Sequence, residues 1–209
     1  MIDHIVYGVH DLHGAVAGIG GLVGVDPNWG GAHVGRGTAN YLASLGERTY
    51  LEIIGPDPDQ PGPEQPRPFG LDRMMTAGVI TWCASVDDLD GFVERAAEAG
   101  YEYDEPTEMQ RRSPAGLLTW RLSFPRFDTL GGIIPFVIDW GDSPHPARTA
   151  AQGLSLASIH AEHPFPSRPA EVLAALGLDL EVRDGPQAGL AVRVGGPGGV
   201  VPLRVASFS

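Results

Sequence analysis

The stretch GVITWCASVDDLDGFVERAAEAG, residues 78–100, repeats the pattern of MIDHIVYGVHDLHGAVAGIGGLVG, residues 1–24, and this repetition decides the fold. Each copy opens with a β-branched and apolar run, passes through an aspartate and closes on a glycine. Each therefore reads as a strand entering a capped helix. Asp11-Leu12 falls on Asp88-Leu89 without a gap. In the first copy Asp11 is the expected N-cap, Leu12, Val16, Ile19 and Val23 recur at helical spacing, and Gly24 is the expected stop. In the second, Leu89, Phe92, Val93 and Ala96 form the equivalent face ahead of Gly100. Repetition of a whole supersecondary unit constrains architecture more than any local pattern does.

Strand-like runs follow each copy. TANYLASL (38–45) and YLEIIG (50–55) read as a hairpin around Gly46-Glu47-Arg48, and GLLTWRLSF (116–124) and GIIPFVIDWG (132–141) follow the second copy. NWGGAHVGRG (28–37) is too glycine-rich for a central strand and reads as a loop or a bulged edge. The proline-rich, acidic stretch GPDPDQPGPEQPRPFG (55–70) separates the copies. The expected organisation is a first βαβββ module at 1–58, a linker at 59–77, a second module at 78–147, and a partial third module at 148–209 packed on the same domain. The fold class is α+β, with two modules building one cleft that draws residues from both.

Composition excludes several function classes. With 26 acidic against 14 basic residues, the net charge of −12 argues against a nucleic-acid partner or an anionic membrane surface. No apolar run approaches the roughly 20 residues that span a bilayer. The N-terminus shows no basic segment followed by an apolar core, and Cys83 is the single cysteine, so a cytoplasmic location is expected. Phosphate-loop, nucleophile-elbow and H-E-x-x-H patterns are absent. GIGGLVG (18–24) ends a helix pattern instead of following a strand, which is the wrong context for a dinucleotide fingerprint.

Several short segments carry a resemblance. They are Ile2-Asp3-His4, His33 through Asn40, and Tyr50-Leu51-Glu52-Ile53-Ile54-Gly55-Pro56-Asp57-Pro58, then Arg67-Pro68-Phe69-Gly70, Trp120-Arg121-Leu122 and Pro135 through Gly141 leading to His145-Pro146. Together with the repeated strand–helix–strands order, they resemble the vicinal oxygen chelate superfamily, also called the glyoxalase/bleomycin-resistance fold, and more closely its glyoxalase-like domain branch. The resemblance implies half-barrels enclosing a cleft and a small-molecule ligand. It also implies one divalent ion (Zn, Ni, Mn or Fe) that chelates adjacent substrate oxygens in an isomerase, lyase or dioxygenase. His4 and Glu52 fall on its first-module metal positions. Their second-module counterparts are Thr81 and a position at or near Val137, neither a convincing ligand. A metal-free binding or sequestering protein of the bleomycin-resistance type is the alternative, and because half-barrels can pair between chains, a homodimer is open.

Each candidate residue has a second reading from the sequence. His4 and Glu52, on neighbouring strands, form either a site or a structural His–Glu hydrogen bond. His33 is a third ligand or general acid/base, or else a surface histidine of a glycine-rich loop. Asn40 contacts substrate or satisfies turn backbone. Arg121 holds a substrate anion or pairs with an acidic neighbour such as Asp139. Trp140 walls a pocket or packs in the core. His160, Glu162 and His163 cannot all converge on one strand face. On the enzyme reading, the metal on His4 and Glu52 acts as a Lewis acid and His33 moves the proton.

Overall fold

Two aspartates start the two module helices. Asp11 accepts the N–H of Gly14 at 3.1 Å ahead of α1 (Leu12–Val23), and Asp88 accepts that of Gly91 at 2.9 Å ahead of α2 (Leu89–Glu98). These side chains satisfy amide groups that a helix start leaves without partners. α1 stops at Gly24, whose φ of 81° lies in the left-handed region that favours glycine. Leu12, Ile19 and Val23 of α1, and Leu89, Phe92 and Ala96 of α2, are buried. This computed structural model describes residues 1–113 and 116–209.

The first module contributes β1 (Ile2–Gly8), β2 (Asn28–His33), β3 (Thr38–Gly46) and β4 (Thr49–Pro56). After a 3₁₀ turn at Pro68–Arg73 come β5 (Met74–Thr76), β6 (Gly78–Ser85), β7 (Thr107–Ser113), β8 (Gly116–Ser123) and β9 (Phe136–Asp139). One eight-stranded sheet runs β2-β3-β4-β1-β6-β9-β8-β7. In each module the first strand pairs in parallel with the last, β1 with β4 and β6 with β9, and the two first strands meet antiparallel at the centre. β2 and β7, at opposite ends of this order, come back against each other, so the sheet curls nearly closed. The glycine-rich NWGGAH stretch does form a strand, an edge one with a register shift between Trp29 and Gly31.

Alternation along the strands separates two apolar clusters. Ile5, Leu51, Ile53, Trp82 and Val137 point to the outer face, under the helices. Val6, Leu42, Tyr50, Trp120, Phe136 and Trp140 point to the concave face.

The C-terminal part holds β10 (Ser155–His163), α3 (Ser167–Ala175), β11 (Val182–Asp184), β12 (Gly189–Gly196) and β13 (Gly199–Leu203), in a sheet ordered β11-β10-β12-β13. Here the opening strand pairs in parallel with the strand just after the helix, a different connection from the two modules. Leu173, Val192 and Val194 belong to the same outer cluster as Ile5. A last short strand, β14 (Ser207–Phe208), pairs with β5. Among the described residues no helix is long and apolar enough to cross a membrane.

Ile5 is fully buried on the central strand. Ile5→Ala is expected to lower unfolding free energy by about 3 kcal/mol in urea titration, the usual result of a cavity left in a tight core.

Candidate active site

The concave face encloses a cavity of about 110 Å³. β1 and β4 supply its polar floor, because a strand sends alternate residues to one side: His4 from β1, and Tyr50, Glu52 and Ile54 from β4. β3 adds Asn40 beside them, and His33 stands at the end of β2. The opposite wall comes from the second module and is almost wholly apolar: Met109, Trp120, Leu122, Phe124, Phe136 and Ile138. Its one charge among the described residues is Arg111 of β7. Phe69 closes one side with φ 59° and ψ 17°, a left-handed conformation that costs a side-chain-bearing residue on the order of 1–3 kcal/mol.

Beneath the floor lies Asp3, with no solvent exposure. It occupies a register shift of β1 between Ile2 and His4, which lets it bond sideways to its own neighbour. Asp3 Oδ1 takes His4 Nδ1 at 2.6 Å, and Oδ2 takes Trp140 Nε1 at 2.9 Å and His145 Nε2 at 3.0 Å. Burial alone would raise the Asp3 pKa, but the hydrogen bonds from His145 and His4 outweigh it and hold the carboxyl well below its ordinary range. An ionised Asp3 can only accept, so His4 carries its proton on Nδ1. That leaves His4 Nε2 facing Glu52 Oε2 at 3.6 Å. His145 is fixed likewise: its Nδ1 accepts the Ala147 amide N–H at 3.3 Å, so Nε2–H donates to Asp3. Tyr50 stacks on the His4 ring at 4.6 Å between centroids, and Phe136 meets it edge-on at 5.4 Å.

A second chain of bonds approaches Glu52 from the other side. Arg111 Nη1 donates to Asn40 Oδ1 at 3.0 Å, and Asn40 Nδ2 donates to Glu52 Oε1 at 2.6 Å and to His33 Nε2 at 3.2 Å. His33 Nε2 thus accepts, and its Nδ1–H points to Thr38 Oγ1 at 3.0 Å. Burial lowers the His33 pKa, with Glu52 opposing and Arg111 adding to the shift, so the ring is neutral near pH 7. Glu52 itself is 6% exposed. A carboxylate is thereby held dry, with one oxygen engaged by Asn40 and the other turned toward His4.

His4, Glu52, Asn40, His33 and Trp140 are therefore brought to one cavity. Arg121 is not. It lies on the outer face of β8, between the inward Trp120 and Leu122, and both its Nη atoms bond Asp90 of α2 at 2.7 Å. The outer-face partner is Asp90, not Asp139. Arg111, Asp3 and His145 carry the remaining polar contacts, and reading the sequence alone gave none of them a role. For Arg111 a signal existed, since Met109 and Arg111 share one face of β7. Asp3 lies where a regular strand would turn it away from His4, and only the shift in β1 brings the two together.

Two donor sets bear on a metal. Asp3, His4 and Cys83 bring a carboxylate oxygen, a ring nitrogen and a sulfur within 4.8 Å of one another. Both Asp3 oxygens already accept hydrogen bonds, however, and burial, with Asp3 and Glu52 nearby, pushes the Cys83 thiol well up, away from the thiolate a metal needs. In the cavity, His4 Nε2 and Glu52 Oε2 are free donors, while the His33 lone pair is taken by Asn40. The second module adds none among the described residues. Thr81 pairs across from Val6 and bonds Gly132 O at 3.0 Å, and Val137 lies in the outer core. Two donors beside a guanidinium do not fit a protein-held chelated ion.

Three comparisons bear on kinship. The profile of a family described as a glyoxalase-like domain matches residues 2–177. No match was found among curated proteins. Among solved structures, a hypothetical protein from Staphylococcus aureus superposes with a TM-score of 0.65 at 16% identity, covering 99% of this chain and 88% of its own, a likeness of fold. Methylmalonyl-CoA epimerase from Mycobacterium tuberculosis gives 0.47 at 20% identity, over 70% of this chain and 91% of its own. A Streptomyces coelicolor methylmalonyl-CoA epimerase variant in complex with 2-nitronate-propionyl-CoA gives 0.47 at 18%, over 70% and 98%.

Asp3→Asn should destabilise the protein by about 3 kcal/mol, since it takes the charge from three buried donors. The folded-state pKa of Asp3 is depressed, so its contribution is full above the unfolded value of 3.8 and is lost as pH falls below that. Urea midpoints measured from pH 7 down to pH 3 should therefore drop more steeply below pH 4 in the wild type than in Asp3→Asn.

Proposed function

The chain belongs to the glyoxalase-like domain family, and from that premise we propose that it is a small-molecule enzyme that moves a proton on a carbon next to a carbonyl or carboxyl group. The observation that carries this reading is the Glu52–His4–Asp3 alignment: a nearly dry carboxylate 3.6 Å from an imidazole nitrogen whose other nitrogen is held by a buried aspartate.

Glu52 removes the proton, and the C–H electron pair moves onto the neighbouring oxygen, toward the end of the cavity that holds the Arg111 charge. The proton taken by Glu52 passes to His4 Nε2, and the imidazolium that forms is stabilised by ionised Asp3. Its return to the other face of the same carbon inverts the centre, and its return to the neighbouring position gives an isomer. Of the classes implied by the family resemblance, isomerisation thus needs the fewest groups beyond those present. No step is assigned to a metal, for want of a donor set. Neutral His33 holds Asn40, and through it Glu52 Oε1, in place.

The test is deuterium exchange. The protein is incubated in D₂O with a panel of small 2-oxo acids, carboxylates and hydroxyketones, and loss of the C–H signal beside the carbonyl is followed by proton NMR. Exchange on a panel member is expected, reduced at least 100-fold in Glu52→Gln with the unfolding midpoint nearly unchanged. Prior dialysis against a strong chelator should leave the rate within twofold, and collapse of the rate on dialysis would restore the metal mechanism. Absence of exchange on every compound that binds would instead favour sequestration, a reading supported by the apolar second-module wall.

A further inference from the structure

Arg111 is 8% exposed, yet no carboxylate oxygen of the described residues lies within ion-pair distance of it. Its Nη1 bonds a neutral amide, Asn40 Oδ1, and its Nε is buried without any partner. A guanidinium removed from water and left unpaired is costly, and folded proteins seldom hold one without a reason. Other arginines with a described acidic contact, such as Arg121 with Asp90 or Arg183 with Glu181, are at the surface, where pairing matters least. The backbone makes room for this charge. A Cβ on Gly30 of β2 would stand 2.9 Å from Arg111 Nη1 and would also clash with the Asn40 side chain, so the close approach of β2 to β7 depends on glycine there. A second cation, Arg36, lines the same cavity from its exposed rim, although the chain as a whole carries −12. Among the described residues, Glu52 is the only acid lining the cavity.

We propose that Arg111 is the anion-holding residue of the cavity and that the ligand is a small monocarboxylate with an apolar body. The inference rests on the reading of the cavity as a substrate site and adds the substrate class to it. The guanidinium carries more N–H donors than the one Asn40 takes, and their planar arrangement matches the two oxygens of a carboxylate. Met109, Trp120, Leu122 and Phe136 then surround the rest of the molecule with apolar surface. A carboxylate is favoured over a phosphate because one buried cation balances one charge, and Glu52 nearby opposes a second. The site thereby sorts ligands by charge as well as by size: an amide or ester of the same shape leaves the guanidinium as unpaired as it is in the free protein.

Benzoate and phenylpyruvate are suitable probes, set against benzamide and phenylphosphonate, with quenching of Trp120 and Trp140 fluorescence and isothermal titration as readouts. The carboxylates are expected to bind at least tenfold more tightly than the amide. Arg111→Met should lose 10- to 100-fold in carboxylate affinity, the worth of a charge-assisted pair. The free variant should melt no lower than the wild type, because an unpaired buried charge is gone; a purely structural arginine would lower the midpoint instead. Arg111→Lys, which keeps the charge but not the planar edge, and Gly30→Ala, which pushes on Arg111 and Asn40, should each weaken carboxylates more than amides. Equal binding of benzoate and benzamide, unaltered benzoate binding in Arg111→Met and Arg111→Lys, or tighter binding of the phosphonate would overturn the proposal. Glu52→Gln separates the two readings: it should abolish proton exchange while leaving benzoate bound. Carboxylate binding with no exchange on any panel member would sink the proton-transfer reading and leave this one standing.

Discussion

The site is organised around a carboxylate that no ligand would touch. Asp3 is wholly buried, and three donors from distant parts of the chain end on its two oxygens: the His4 ring beside it, the Trp140 indole after β9, and the His145 ring beyond. One buried negative charge with three hydrogen bonds ties the start of the first module to the end of the second. It also sets proton positions. Because Asp3 accepts from His4 Nδ1, the nitrogen facing the cavity is settled before any ligand arrives. Without Asp3, His4 could turn or change tautomer, and Glu52 would face no defined partner.

The two modules share a connection and divide the chemistry. Strand parity sends His4, Glu52 and Asn40 inward from the first module and an aromatic and aliphatic surface inward from the second. The positions that would make the site symmetric are filled otherwise, with Thr81 bonded to the Gly132 carbonyl and Val137 packed under the helices. The result is a cavity with a polar floor and an apolar wall. Duplication of a scaffold does not require duplication of its functional groups.

Much of this was legible in the sequence. The repeat at 1–24 and 78–100 predicted strand–helix–strands twice over, and both aspartate caps lie where the pattern puts them. His4 and Glu52 were legible because alternation along two apolar strands makes any inward polar residue conspicuous. Of the two readings open for Arg121, the ion pair is the one found, with Asp90 in place of Asp139. Arg121 stands out in GLLTWRLSF as a charge among apolar residues, but its neighbours Trp120 and Leu122 are the inward ones, and parity sends it out to Asp90. Arg111 sits in the polar run TEMQRRS, where no single charge attracts notice, and its inward face is defined only once β7 has a register against β8. Asp3 escaped because a shift of one residue in β1 reverses its side, and backbone irregularities of that kind leave little trace in composition.

The curled sheet is not sewn shut. Among the described residues no strand pairing joins β2 to β7, although the two edges lie against each other. Beside this seam a side-chain bond crosses between the two modules, from Arg111 on β7 to Asn40 on β3, the strand that carries β2. Among the described residues, parting this seam would break no ladder of backbone hydrogen bonds, and the side-chain bond beside it is made by the same guanidinium that lines the cavity. Arg111 thereby belongs to the lining and to the edge-to-edge contact at once, so a change of that one side chain touches both the interior of the barrel and its closure.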